Sequence, residues 1–357
     1  MRFAFATRNL PEQYGGAAGR QLWAVGEALL AAGHDVTAWC WRPEPPRGEV
    51  PAWCTWRPLP AEAAWRTRTR ALLRPRTDAA RGAWTAPADA VAVADDPVSW
   101  AAVAGQGARA VATVHYSVAL DRRALADHRP AVVQDARGER RAVRRADAVW
   151  ALSTRVRDAV GRGVVVPACV PVPASVVPPV DAPVAGLLAD WSWAPNRAAA
   201  GALVRGWPAV RAAVPGARLL LAGRGAAPVG AAAGVEWLGE VPATADLLAQ
   251  VAVFAFPCPP TSGPKMKVLD ALAHGIPVLT TPAGAEGIAG DTTGALAVQP
   301  ERGFTDRLVA LLSDPPSRTA MGAAGRRLLV DGHAPAVAAQ ARVAAAQRLA
   351  ADATARG

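Results

Sequence analysis

The segment PTSGPKMKVLDALAHGIPVLTT, residues 260–281, holds both lysines of a 357-residue chain; the other 37 basic residues are arginines. Gly263-Pro264 reads as a helix start, with Pro at the first helical position where its missing N–H is harmless. Val268, Leu269, Leu272 and Ala273 give the apolar stripe, and Gly275 ends the helix before a strand, IPVLTT. This spacing places Lys265 and Lys267 in the first turn. The amino end of a helix carries partial positive charge, so each cation there is unfavourable by about 0.3–1 kcal/mol. A diphosphate reverses the sign, because free N–H groups, dipole and both ammonium groups then face one anion. The plainer alternative pairs Lys267 with Asp270 along the helix surface. Asp270, farther into the same helix, could instead accept two ribose hydroxyls, which together with the diphosphate describes a nucleotide site at the carboxyl ends of a parallel sheet.

Other residues invite chemical readings. His115 ends the run AVATVH and opens a loop, either facing a ligand or simply capping a strand end. Gly15 and Gly16 let a loop backbone approach a ligand or make an ordinary turn. YGGAAG lacks the G-x-G-x-x-G spacing of nicotinamide dinucleotide sites. Arg224, between two glycines after ARLLLA, reads equally as a phosphate ligand or a solvated arginine. Asn196 reads as a helix cap. Asp95-Asp96 and the scattered cysteines Cys40, Cys54, Cys169 and Cys258 have no metal-ligand spacing, and neither metal nor disulfide framework is expected. WRTRTRALLRPR, 65–76, lies near several tryptophans. It could touch anionic lipid or an acceptor, or be a solvated basic helix beside a tryptophan core.

These residues need a scaffold. Hydrophobic content of 52% against 19% charged residues excludes wholesale disorder, and the length suits two domains. A formal charge of +10 suits an acidic partner, though widespread use of arginine explains it as well. Short apolar runs (RFAFAT, HDVTAWC, DAVAVA, ARAVATVH, ADAVWALS) alternate with helical stretches, then VAGLLAD, ARLLLAG, GVEWLGEV, VAVFAFP and IPVLTT repeat the theme. A proline-rich stretch at 170–183 separates the halves. The expected architecture is α/β: two doubly wound, Rossmann-like domains facing across a cleft, 1–175 and 176–335, with a carboxyl-terminal helix, 336–357, that could pack back on the first domain. No run approaches the ~20 apolar residues of a membrane span, and the amino terminus reads as a strand rather than a leader, so a cytoplasmic protein is expected. No nucleic-acid-binding module is present, and no nucleic-acid partner is expected.

SGPKMKVLDALAHGIPVLTTPAGAEGI resembles the donor-site signature of retaining GT-B glycosyltransferases of the group 1, family 4 type. DWSWAPNRAAAGALVRGWPAVRAAVPGARLLLAGRG and GVEWLGEVPATADLLAQVAVFAFP are similar to the rest of that family's second domain, and YGGAAGRQLWAVGEALLAAGHDVT resembles its Gly-Gly loop. The resemblance implies transfer of a sugar from a nucleoside-diphosphate sugar to a hydroxyl acceptor, on a small molecule, saccharide or lipid-linked group, with retention of configuration and no cofactor or metal. It implies that Lys265, Met266, Lys267, Arg224 and Gly16 hold the diphosphate and Asp270 the ribose. Ser262 and Gly263 would lie at the donor sugar, and Gly15, Gly16 and His115 on the acceptor side, with Lys265 and His115 catalytic. The family pattern has two glutamates separated by seven residues; here Ser262 and Asp270 stand in those places. Ser262 leaves open a nucleotide-sugar-binding subunit without transfer activity, and a GT-B sugar-nucleotide epimerase is the third reading.

Overall fold

The computed structural model describes residues 1–13, 16–41, 45–46, 49–57, 84–106, 108–176 and 180–354. The Arg66–Arg76 stretch and Gly15 lie outside the described residues. The chain forms two compact units, Met1–Cys169 with Pro335–Gly357, and Val170–Ala334.

Among the described residues of the first unit seven strands form one parallel sheet: β1 (Arg2–Thr7), β2 (Asp35–Trp41), β3 (Cys54–Arg57), β4 (Val91–Ala94), β5 (Arg109–Val114), β6 (Ala148–Ala151) and β7 (Val164–Val165). Their order is β3-β2-β1-β4-β5-β6-β7. Helices α1 (Ala17–Ala31), α2 (Trp100–Val103), α3 (Val118–Ala124), α4 (Pro130–Arg145) and α5 (Thr154–Val160) connect them. β4 is buried along its whole length, which is why its sequence VAVA shows no alternation. Registers Ala6↔Ala94 and Ala94↔Ala112 bring Thr7, Asp95 and the end of β5 to one edge. Trp39, stacked on Trp41 and Trp84, packs with alanines of β1 and β4 in the core. Of the tryptophans near the basic stretch, Trp39 and Trp41 are therefore core residues.

The second unit repeats the winding with β8 (Val184–Leu188), β9 (Arg218–Ala222), β10 (Val235–Gly239), β11 (Val253–Phe256), β12 (Val278–Thr280) and β13 (Ala297–Val298), ordered β10-β9-β8-β11-β12-β13. Its helices are α6 (Ala194–Ala213), α7 (Thr244–Leu248), α8 (Met266–Ala273), α9 (Phe304–Leu312) and α10 (Pro315–His333). In each sheet the winding reverses between the first strand and the fourth, β1/β4 and β8/β11. Loops leave in opposite directions there, opening a crevice at the carboxyl ends.

The final helix, α11 (Pro335–Thr354), returns to the first unit and packs on α1. Ala338, Ala339, Ala345, Ala346 and Leu349 are buried. The buried Arg342 donates from Nη1 to the carbonyl of Pro167 at 3.2 Å. Arg326 of α10 donates from Nη2 to the carbonyl of Pro173 at 2.6 Å. The two guanidinium groups thus fix the changeover between 167 and 173, upstream of the boundary that the proline-rich stretch indicates. A chain ending at Ala334 is expected to lose protection in the first unit while the second stays folded, since α1 would lose its apolar cover. Hydrogen exchange read peptide by peptide measures this; uniform protection in both units would contradict it.

Candidate functional site

The loop from Pro257 to Lys265 leaves β11 at the reversal point and enters α8. The helix opens at Met266, with Lys265 as its cap residue in extended conformation (φ −99°, ψ 97°). This corrects the sequence reading, which starts the helix at Pro264 and puts both lysines in its first turn. Gly263 takes φ +77°, a left-handed conformation that bends the chain ahead of Pro264, and the helix begins only after Lys265. The Lys265 side chain folds back. Its Nζ donates to the carbonyls of Ser262 at 3.1 Å and Gly263 at 2.5 Å, with Thr261 at 3.5 Å. Lys265 is buried, and its ammonium gathers the loop. Glu286 accepts from the Gly263 N–H at 2.8 Å and holds the same loop from the other side.

Lys267 is in the first turn, as the spacing indicates. It is half-buried, with Nζ 4.4 Å above the Phe256 ring and donating to Asn196 Oδ1 at 2.5 Å. Asn196 is the third residue of α6, not its cap, and its Nδ2 donates to the carbonyl of Asp190 at 2.7 Å. Phe256 ends β11, and Asp190 comes just after β8. Lys267 therefore sits where the second sheet reverses, and the α8 surface pairing with Asp270 is not needed to explain it. Desolvation pushes its pKa down to about 7; the Lys265 charge lowers it further, and Cys258 and Asp190 oppose the shift. An ammonium in this state gains its charge back when an anion arrives.

Asp270 is buried one turn farther along α8, and Ser262 is buried in the loop. The N–H groups of Met266 and Lys267 belong to the first turn, which has no intrahelical acceptors. Loop, cap and helix thus bring Ser262, Gly263, Lys265, Met266, Lys267 and Asp270 together. Arg224 lies beyond β9, is exposed, and turns its Nε to Glu240 at 3.3 Å. It does not join that group.

At the carboxyl edge of the first sheet, His115 Nε2 lies 2.6 Å from the backbone oxygen of Asp95 and 3.4 Å from its Oδ1. A carbonyl only accepts, so Nε2 carries the proton. Asp95 is buried and also accepts from Thr7 Oγ1 at 3.2 Å. Burial by itself would lower the His115 pKa, but the Asp95 charge and hydrogen bonds, with the Asp96 charge, raise it above the ordinary 6.5. Glu139 of α4 reaches the loop beyond His115, accepting from Val118 N–H at 2.9 Å and Ser117 Oγ at 3.3 Å. Burial raises its pKa to about 7, against those same hydrogen bonds. Gly16 caps α1 at φ −64°, and a Cβ there would meet no atom of the described residues within 4 Å. The fold does not require glycine at that position.

Sequence reasoning missed Phe256, Glu286, Glu139 and the partnership of Asp95 with His115. Phe256 could have been noticed as the last residue of a strand at the reversal; the others are joined to their partners only through space.

Two family models match the chain: Glycosyltransferase Family 4 over residues 14–179, and Glycosyl transferases group 1 over residues 183–314. The chain belongs to the group 1 glycosyltransferases. Solved structures give the fold of this glycosyltransferase as GT-B with two Rossmann-like domains. Sucrose-phosphate synthase from Thermosynechococcus elongatus superposes with a TM-score of 0.76 at 17% identity, covering 98% of this chain and 99% of that one. A TarM variant from S. aureus, in complex with fondaparinux, α-GlcNAc-glycerol and UDP, gives 0.72 at 7% identity over 96% and 99%. HepE from Anabaena, in complex with UDP and glucose, gives 0.63 at 14% identity over 96% and 98%. No curated protein matches the sequence.

Two predictions test the geometry of the glycosyltransferase. Lys267 with a pKa near 7 is protonated below that pH, so affinity for a nucleoside diphosphate should weaken as pH rises from 6 to 8. Above 7 the loss should approach roughly tenfold per unit, with proton uptake on binding in calorimetry; a Lys267→Met variant should be at least as stable yet show no such dependence. In the first unit, Asp95→Asn should move the His115 titration from above 6.5 to below it, read by NMR of the imidazole. An unchanged titration would show that the carboxylate does not set it.

Proposed function

We propose that the protein transfers a sugar from a nucleoside-diphosphate sugar to an acceptor hydroxyl with retention of configuration. The observation that carries this is the half-buried, pKa-depressed Lys267 between Phe256 and Asn196, beside the first turn of α8 and the Lys265-gathered loop. Negative charge grows on the leaving diphosphate as the glycosidic bond breaks. Positive groups fixed in advance stabilise that charge more in the transition state than in the ground state. Lys267 and the N–H groups of Met266 and Lys267 meet the diphosphate, Lys265 holds the loop and adds its charge, and Asp270 takes the ribose. These groups supply the positive charge that a metal ion would otherwise provide, and no cofactor enters the reaction. Complexes of TarM and HepE with UDP support the choice of donor.

Ser262 and Gly263 lie on the donor-sugar side of this loop. His115, with Gly15 and Gly16, serves the sugar and acceptor. In a front-face reaction the acceptor proton passes to the departing phosphate oxygen, so no side-chain nucleophile is required. Arg224 contributes to the diphosphate only by leaving Glu240. Ser262 in place of the common glutamate favours, as a second reading, a nucleotide-sugar binder that does not transfer; release of nucleoside diphosphate with an acceptor separates the two.

A panel of UDP-, GDP- and dTDP-sugars tested by thermal shift identifies the donor, since a ligand at 100 times its Kd adds roughly 2.7 kcal/mol. With that donor, Lys265→Ala should lower kcat at least about a hundredfold, chelators should leave the rate unchanged, and product NMR should show the donor's anomeric configuration. An inverted product would reject retention, and a near-normal rate would remove Lys265 from catalysis. Gly16→Ser should leave stability intact, serine being a good cap, but raise KM for donor or acceptor.

A further inference from the structure

Helix α4 carries Arg137, Arg140, Arg141, Arg144 and Arg145, spaced i, i+3, i+4, i+7 and i+8, the period of one helix face. All five line one surface groove of about 330 Å³, and among the described residues no acidic one lines it with them. Four of them are exposed and Arg141 is half-buried. The opposite face, with Ala136, Glu139, Ala142 and Val143, is buried against the first unit. Three i,i+4 pairs of like charge (137/141, 140/144 and 141/145) work against the helix. Arg144 and Arg145 suit the negative carboxyl end of the helix dipole, but Arg137, Arg140 and Arg141 gain nothing from it.

The face is not part of the sugar-transfer site. Glu139 meets the loop beyond the carboxyl end of β5. After Arg145 the chain arrives at Asp147, whose N–H donates to Ala110 at the other end of that strand. The arginines therefore run from the reacting edge of the sheet towards its opposite edge. Over eight residues they span roughly 12 Å, more than one phosphate group can engage. A protein interface would place apolar and aromatic residues at its centre, and among the described residues this groove is lined by arginine side chains alone.

We propose that this arginine face is a docking surface for the anionic headgroups of a lipid membrane. Guanidinium groups pair with phosphate in two-point fashion, and each basic residue near a negative surface adds to the attraction. Among the described residues no helix is long and apolar enough to cross a membrane, so the contact is peripheral and electrostatic. The proposal does not rest on the transfer reaction.

The test is sedimentation of the full chain with vesicles of phosphatidylcholine alone or mixed with phosphatidylglycerol. The native chain should bind the mixed vesicles at least tenfold more tightly, and added salt should release it. Arg137→Gln, Arg140→Gln and Arg144→Gln combined should weaken that binding roughly a hundredfold. A control of equal charge change in the second unit, Arg302→Gln, Arg307→Gln and Arg327→Gln, should stay within a few-fold of the native chain. Melting curves matching the native chain establish that both triple variants are folded. Equal binding to both vesicle types, an unaffected α4 variant, or equal losses in both triples would overturn the proposal. Tighter α4-dependent binding to duplex RNA than to the mixed vesicles would also overturn it.

Discussion

An ammonium group held partly out of water at the reversal point of a parallel sheet is the interaction on which the second unit is organised. β8 and β11 diverge there, and three elements meet at one cation: Asn196 beyond β8, Phe256 at the end of β11 and the first turn of α8. Half-burial makes the charged form of Lys267 unfavourable in the free protein. On the proposed reaction a diphosphate would restore that charge, so the same desolvation that weakens the fold would strengthen the binding. The loop ahead of it must be held firmly for this to work, and Lys265 and Glu286 hold it from two sides.

The use of lysine at these two positions, in a chain whose other basic residues are arginine, has a chemical reason. Two buried arginines bind backbone carbonyls: Arg318 spreads Nη1 and Nη2 over Leu311, Leu312 and Asp181, and Arg342 reaches Pro167 and Ala338 from Nη1. Three carbonyls of consecutive residues converging on one point suit the compact ammonium of Lys265 better than a fork. A guanidinium also keeps its proton at any ordinary pH, whereas the pKa of Lys267 falls to about 7. A group that is to recharge near neutral pH cannot be arginine.

The first unit arranges charge differently. A buried carboxylate, Asp95, faces the imidazole of His115 and holds one of its nitrogens as a donor, while Thr7 steadies the carboxylate. Glu139 fixes the adjoining loop from the side of α4. Both sheets thus place their titratable groups at carboxyl edges, one around a depressed lysine and the other around a raised histidine.

The strands were legible because buried parallel strands need unbroken Val, Ala, Leu and Phe runs, and RFAFAT, VAVFAFP and their counterparts have few other solutions. The short strands β3 and β13 were not, since little in their composition separates them from loop. The two lysines and Asp270 could be found from type and spacing alone, because helix periodicity is a local property. The helix start could not: it depends on where the Lys265 ammonium finds carbonyls, and on Gly263 bending the chain. Asn196 to Lys267 spans 71 residues, and His115 to Asp95 spans 20. Sequence determined which charges the protein possesses and which local element carries each; only the tertiary fold decided which of them lose water together, and desolvation by neighbours distant in the chain is what sets their pKa values and their chemistry.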